Sequence, residues 1–161
     1  MPLITGSPLT VWRLTKAKYA ASALSGYGST LRAGRWHPRG RPVVYCAASP
    51  SLALLETLVH VERPDLLGFD YVAVPVTLQR DHVERLAPDE LPADWRAWPH
   101  PASTQALGAR WFDEQQSVAL MVPSAVVPHE RNILLNPLHS RFREVEIGEP
   151  EPFPVDSRLA R

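Results

Sequence analysis

Apolar positions along this chain recur mostly at period two and in short bursts, the spacing of strands rather than of long helices. Residues 9–14 (LTVWRL) alternate as a short strand, with Trp12 and Arg13 on opposite faces. Residues 43–47 (VVYCA) form an apolar, β-favouring run that predicts a buried strand. Residues 69–78 (FDYVAVPVTL) alternate as well, and Pro75 is expected to confine that strand to an edge or a bulge. Further short strands are predicted at 117–122, 132–135 and 142–147.

Helical spacing is rarer. Residues 16–24 predict one or two helical turns, ended by Ser25 and Gly26. Ser49 and Pro50 read as the N-cap and first residue of a helix over 51–62, because proline there has no N–H to lose. Leu52, Leu55 and Val59 supply its apolar stripe, widened by Leu54, Leu58 and Val61. A second helix is expected over 102–115, with Leu107, Arg110 and Trp111 on one side. The rest reads as connection: a loop over 26–42 with four glycines and four arginines, a proline-rich stretch at 88–101 and a loose tail. Dispersed strands that outnumber helices, without internal repeats, predict a single α+β domain over residues 1–150 and a C-terminal tail over 151–161.

Composition sharpens this picture. A length of 161 residues suits one domain, and 45% hydrophobic with 21% charged residues marks a globular chain. The 17 prolines suit short elements joined by stiff turns. A single cysteine, Cys46, excludes an internal disulfide and a CxxC metal site, and reads as a small core residue in a reducing cytoplasm. The apolar runs, such as 43–48 and 118–122, are far below the ~18 residues of a membrane helix, and no basic-then-apolar leader opens the sequence. No membrane partner is expected.

Charge changes the reading more. Lys plus Arg and Asp plus Glu number 17 each, which argues against a direct nucleic-acid partner held by bulk charge. Yet residues 1–50 carry seven basic side chains and no acidic one, and the first carboxylate is Glu56. The asymmetry is either a solvated basic face or an anion-binding half, and the neutral total favours a small phosphorylated ligand.

The familiar catalytic signatures are missing. There is no GxxxxGK[ST], no HExxH and no GxSxG. Gly26 and Gly28 begin a GxGxxG whose sixth position is Leu31, with no strand before it. The histidines show no paired spacing, so no metal is expected. What stands out is Glu56, a carboxylate inside an apolar helical stripe. It either pairs with an arginine on the helix flank or faces the upstream arginines as a site carboxylate.

Four segments, WRL at 12–14, GRWHPRG at 34–40, VVYCAASPSLALLE at 43–56 and VPSAVVPHERNILLNP at 122–137, together resemble the RES domain, the toxin of RES–Xre toxin–antitoxin modules. His37 departs from the pattern, where Asn is expected. The resemblance spans roughly residues 9–147. It implies a fold similar to ADP-ribosyltransferases, with a split β-sheet core and flanking helices, and NAD+ consumed as substrate in the cleft. It further implies an Xre-like helix-turn-helix antitoxin as partner.

The residues suit that chemistry. Cleaving the nicotinamide–ribose bond passes through an oxocarbenium-like state, which a nearby carboxylate stabilises. Glu56 is the expected catalytic carboxylate. Arg13 and Arg35 are expected on the pyrophosphate, Tyr45 beside the nicotinamide, and Ser124 on the carboxamide or a ribose hydroxyl. Each has a plainer alternative: a cross-sheet ion pair, a surface cation, a core tyrosine and a turn. Asn132 and Asn136 are expected to brace loops, and Trp36, Trp95, Trp98 and Trp111 to pack. Water, phosphate or a protein could accept the ADP-ribose. The rival class is a non-catalytic anion or nucleic-acid binding module.

Overall fold

The computed structural model describes residues 2–161, apart from the side chain of Arg63. Eight strands form one sheet: β1 (Leu9–Lys16), β2 (Val44–Ala47), β3 (Tyr71–Leu78), β4 (Val83–Arg85), β5 (Ala119–Pro123), β6 (Arg131–Leu135), β7 (Glu146–Ile147) and β8 (Glu151–Pro152). Their order is β4-β5-β6-β2-β1-β3-β7, with β8 on the other half of β3. β4 pairs parallel with β5 and the remaining described pairs are antiparallel. The helices are α1 (Tyr27–Leu31), α2 (Pro50–Leu58), α3 (Arg63–Leu66) and α4 (Ala102–Asp113). The expected α+β domain with a split sheet and flanking helices is observed.

The split is local. β2 pairs with β6 at four positions, from Val44↔Leu135 to Ala47↔Asn132, but meets β1 only at Trp12↔Ala47. β1 instead runs with β3 from Leu9↔Leu78 to Lys16↔Tyr71. The two halves of the sheet therefore part between β1 and β2.

β3 is internal rather than an edge strand, and Pro75, expected at an edge or a bulge, sits at an interruption in its outer pairing. Pro75 lies opposite Trp12, and its carbonyl accepts from Gly148 N–H at 2.8 Å. Its missing N–H thus turns into the gap between β7, which pairs at 76 and 77, and β8, which pairs at 72 and 73.

Three further expectations are corrected. Residues 17–22 form the expected helical turns, in 3-10 geometry, but the loop at 26–42 contains α1, entered through Gly26 at φ 69°. The strand predicted over 142–147 is mostly the 3-10 turn Ser140–Glu144, and only Glu146–Ile147 pairs. The segment read as a loose tail is docked: β8 joins β3, Phe153 N–H donates to Tyr71 O at 2.9 Å, and Phe153 and Val155 pack beside Leu14, Leu52 and Tyr71.

The core has three parts. Val11, Val44, Cys46, Val74, Val76, Ile133 and Leu135 make one. Alternation sends Leu134, Leu120 and Val122 to another, where α4 covers them with Leu107, Trp111 and Phe112. Gly108 lets α4 come this close, since a Cβ there would fall 1.6 Å from the Trp36 carbonyl oxygen. The third part packs α2 through Leu52 and Ala53 against Leu14, Ala47 and Ala73. α2 ends at Leu58, and Leu55 and Val59 of its predicted stripe are exposed. The open space beside α2, at the parting of β1 and β2, is the cleft.

Candidate active site

A cleft of about 990 Å³ is lined by β1, β2, α2, the 28–37 loop and the proline-rich 88–101 connection. Glu56 projects into it from α2, whose start is set locally: Ser49 Oγ accepts from Leu52 N–H at 3.1 Å, with Pro50 in the first turn. Glu56 Oε1 accepts from Ser124 Oγ and from Asn132 Nδ2, each at 2.6 Å. Oε2 accepts no hydrogen bond among the described residues. Two donors from the far side of the sheet thus hold one carboxylate oxygen, which leaves the other for chemistry in the cleft.

Ser124, expected to contact the ligand, is placed against Glu56 and not in the lining of the cleft. It is fully buried, and its Oγ accepts from Val126 N–H and Val127 N–H at 3.1 and 3.0 Å. Its single proton goes to Glu56. Ser124 is a positioning residue. So is Asn132, for which loop bracing was expected ahead of ligand contact; it lines the cleft, and its contact with Glu56 spans 76 positions of sequence and has no local signature. Asn136 does brace a turn, with Oδ1 accepting from Leu138 N–H at 3.0 Å.

Arg13 occupies the gap between β1 and β2. Its Nε donates to Ala23 O and its Nη1 to Tyr45 O, both at 3.3 Å. It lines the cleft on one side and a smaller pocket of about 470 Å³ on the other. Burial lowers its pKa, with the Cys46 thiol opposing the shift. No cross-sheet carboxylate pairs with it among the described residues, so the ion-pair alternative falls away. Cys46 is buried, and burial pushes its thiol up to about 12, the behaviour of an inert core residue.

Arg35 Nη1 donates to Trp95 O at 2.6 Å and to Ala97 O at 3.0 Å, which pins the proline-rich connection over the cleft. Burial lowers its pKa, while Glu56 and Tyr45 act in the other direction. On the opposite flank, Arg96 Nε and Nη2 donate to Ala125 O at 3.2 and 3.1 Å. Residues 95–98 are thus a strap held at both ends. Arg35 therefore serves the backbone as well as facing Glu56.

Tyr45 lines the cleft, and its hydroxyl belongs to a closed network. His37 Nε2 lies 2.9 Å from Arg32 O, which can only accept, so Nε2 carries the proton. Nδ1 then accepts from the Tyr45 hydroxyl at 2.6 Å, and that oxygen accepts from Trp36 N–H at 3.2 Å. Burial raises the Tyr45 pKa and lowers that of His37. Gly34 makes room, since a Cβ there would lie 2.7 Å from the imidazole and 2.8 Å from the Tyr45 hydroxyl.

The RES-domain family model matches residues 10–156. The chain belongs to the RES-domain family. A protein named Toxin Res from Photorhabdus laumondii is 42% identical to this RES chain over 154 residues, covering 95% of it and 98% of the relative. A Prs ADP-ribosylating toxin from Sphingobium sp. is 35% identical over 155 residues, covering 93% and 96%. The RES fold also matches a chain in the crystal structure of the M. tuberculosis MbcT–MbcA toxin–antitoxin complex, with a TM-score of 0.76 and 20% identity over 95% of this chain and 87% of that one. The protein is a RES-domain toxin. Its carboxylate, arginines and strap lie around one cleft. Among the described residues no group of three or more His, Cys, Asp or Glu is placed to hold a metal, and no helix is long and apolar enough to cross a membrane.

Proposed function

We propose that this toxin binds NAD+ in the cleft and cleaves its nicotinamide–ribose bond. The observation that carries the reading is the fixing of Glu56 Oε1 by Ser124 and Asn132 in a cleft that also presents Arg13 and Arg35. Nicotinamide departs with the bonding electron pair as positive charge builds on the ribose. Glu56 stabilises that charge without having to reorganise. Arg13 and Arg35 hold the pyrophosphate, each with guanidinium donors beyond those given to the backbone. Tyr45, stiffened by His37, packs beside the nicotinamide.

The test incubates the purified chain with NAD+ alone. Free nicotinamide with ADP-ribose, or with its phosphate when phosphate is supplied, identifies glycohydrolysis or phosphorolysis. Glu56→Gln should be inactive. Intact NAD+ after incubation with the wild type would remove the reading.

A second reading, ADP-ribosyl transfer to a protein, is favoured by the name of the Sphingobium relative. It predicts nicotinamide release only when an acceptor protein is present. In either case a partner must protect the producing cell, and the related fold seen in a toxin–antitoxin complex supports an antitoxin. We take it to be Xre-like and cytoplasmic with the toxin, and to act by occluding the basic cleft. An antitoxin complex that binds NAD+ as well as the free toxin does would exclude occlusion.

A further inference from the structure

Trp98 breaks the pattern of the other tryptophans. Trp12, Trp36 and Trp98 all line the cleft, but Trp36 and Trp111 are buried in the α4 core, Trp95 packs at its edge and Trp12 is half-buried, whereas Trp98 is 72% exposed. It is held in place nevertheless. Arg35 bonds the carbonyl of the residue before it, and Arg96 ties the strap to Ala125. Its ring meets His100 at 4.6 Å between centroids and 87° between planes, which fixes the plane of the indole. The exposed ring surface is left for another planar group. A large apolar ring kept in water on a pinned segment at a cleft is the form of a stacking platform.

Resting on the reading of the cleft as an NAD+ site, we infer that Trp98 stacks on the adenine, the base that does not react. The charge around the strap carries this choice. Arg35 and Arg96 flank the strap and disfavour the cationic nicotinamide ring there, while a neutral purine attached to phosphates suits them. Trp98 then sets preference for a dinucleotide over a mononucleotide without touching the bond that breaks.

The experiment measures equilibrium binding of ADP, inorganic pyrophosphate and nicotinamide mononucleotide to the wild type, Trp98→Ala and Trp98→Phe. Because the ring is exposed, both variants should fold as the wild type does. Trp98→Ala should weaken ADP about tenfold or more, as loss of one base stack does, with pyrophosphate within about twofold and Trp98→Phe recovering most of the affinity. Unchanged ADP binding in Trp98→Ala, an equal loss for pyrophosphate, a loss confined to nicotinamide mononucleotide, or no ADP binding by the wild type would each overturn the proposal. NAD+ turnover by the wild type is scored separately, so failure of the NAD+ reading is distinguishable from failure of the Trp98 assignment.

Discussion

Asn132 donates from Nδ2 to Glu56 Oε1 at 2.6 Å, and so ties strand β6 to helix α2 across the cleft. Glu56→Gln separates charge from shape, since the amide oxygen can still accept from Asn132 and Ser124. Turnover of NAD+ should fall by orders of magnitude while NAD+ binding survives. Asn132→Asp should be worse than Asn132→Ala, because it sets a second carboxylate where a donor stood. Near-wild-type turnover in a folded Glu56→Gln protein would remove Glu56 from the chemistry.

Ser124 joins a turn to the same carboxylate, accepting from Val126 and Val127 while donating to Glu56. Ser124→Ala leaves those two N–H groups without their acceptor and should cost about 1–3 kcal/mol of stability in urea unfolding. It also frees Glu56 to rotate, so kcat should fall by about tenfold to a hundredfold with little change in KM. A rise in KM with unchanged kcat would instead make Ser124 a ligand contact.

These relationships mark the limit of what the linear sequence discloses. The strand alternation at 9–14 and the Ser49–Pro50 cap act over a few residues, so β1 and the start of α2 were legible. Glu56 stood out because a carboxylate in an apolar run needs a reason. Its partners, 68 and 76 positions away, are set by the register of β2 with β6, which no local pattern encodes. β4 escaped notice because three residues are too few for alternation, and β8 because Pro150, Pro152 and Pro154 read as a tail. Trp98 was misassigned to packing because residue type speaks for burial while the pinned strap decides it.

The His37 network predicts a pH dependence. Burial holds the His37 pKa below its ordinary ~6.5, so the native ring stays neutral where the unfolded chain takes up a proton. The unfolded state then binds more protons, and stability falls as pH drops from ~6.5 toward the native value. Above that window the contribution is complete. His100, also lowered by burial first and by nearby Arg35 second, adds in the same direction. His37→Gln cannot titrate and keeps a donor for Arg32 O. Urea melts from pH 7 to about 5 should show a shallower loss of stability for His37→Gln than for the wild type. Equal slopes would assign the acid sensitivity to other groups.

Arg35 has two duties that one substitution can separate. Its Nη1 bonds Trp95 O and Ala97 O, and its remaining donors are available to a pyrophosphate. Arg35→Lys keeps the charge but loses the fork, so it cannot serve both carbonyls and an anion at once. KM for NAD+ should rise about tenfold for Arg35→Lys and further for Arg35→Ala, with kcat less affected because Glu56 keeps both of its donors. Limited proteolysis reads the other duty: cleavage within residues 91–101 should become faster in both variants as the strap comes loose. Faster cleavage with an unchanged KM would make Arg35 a strap pin alone and leave the pyrophosphate to Arg13. Arg13→Ala should then abolish NAD+ binding while the strap keeps its protection from protease.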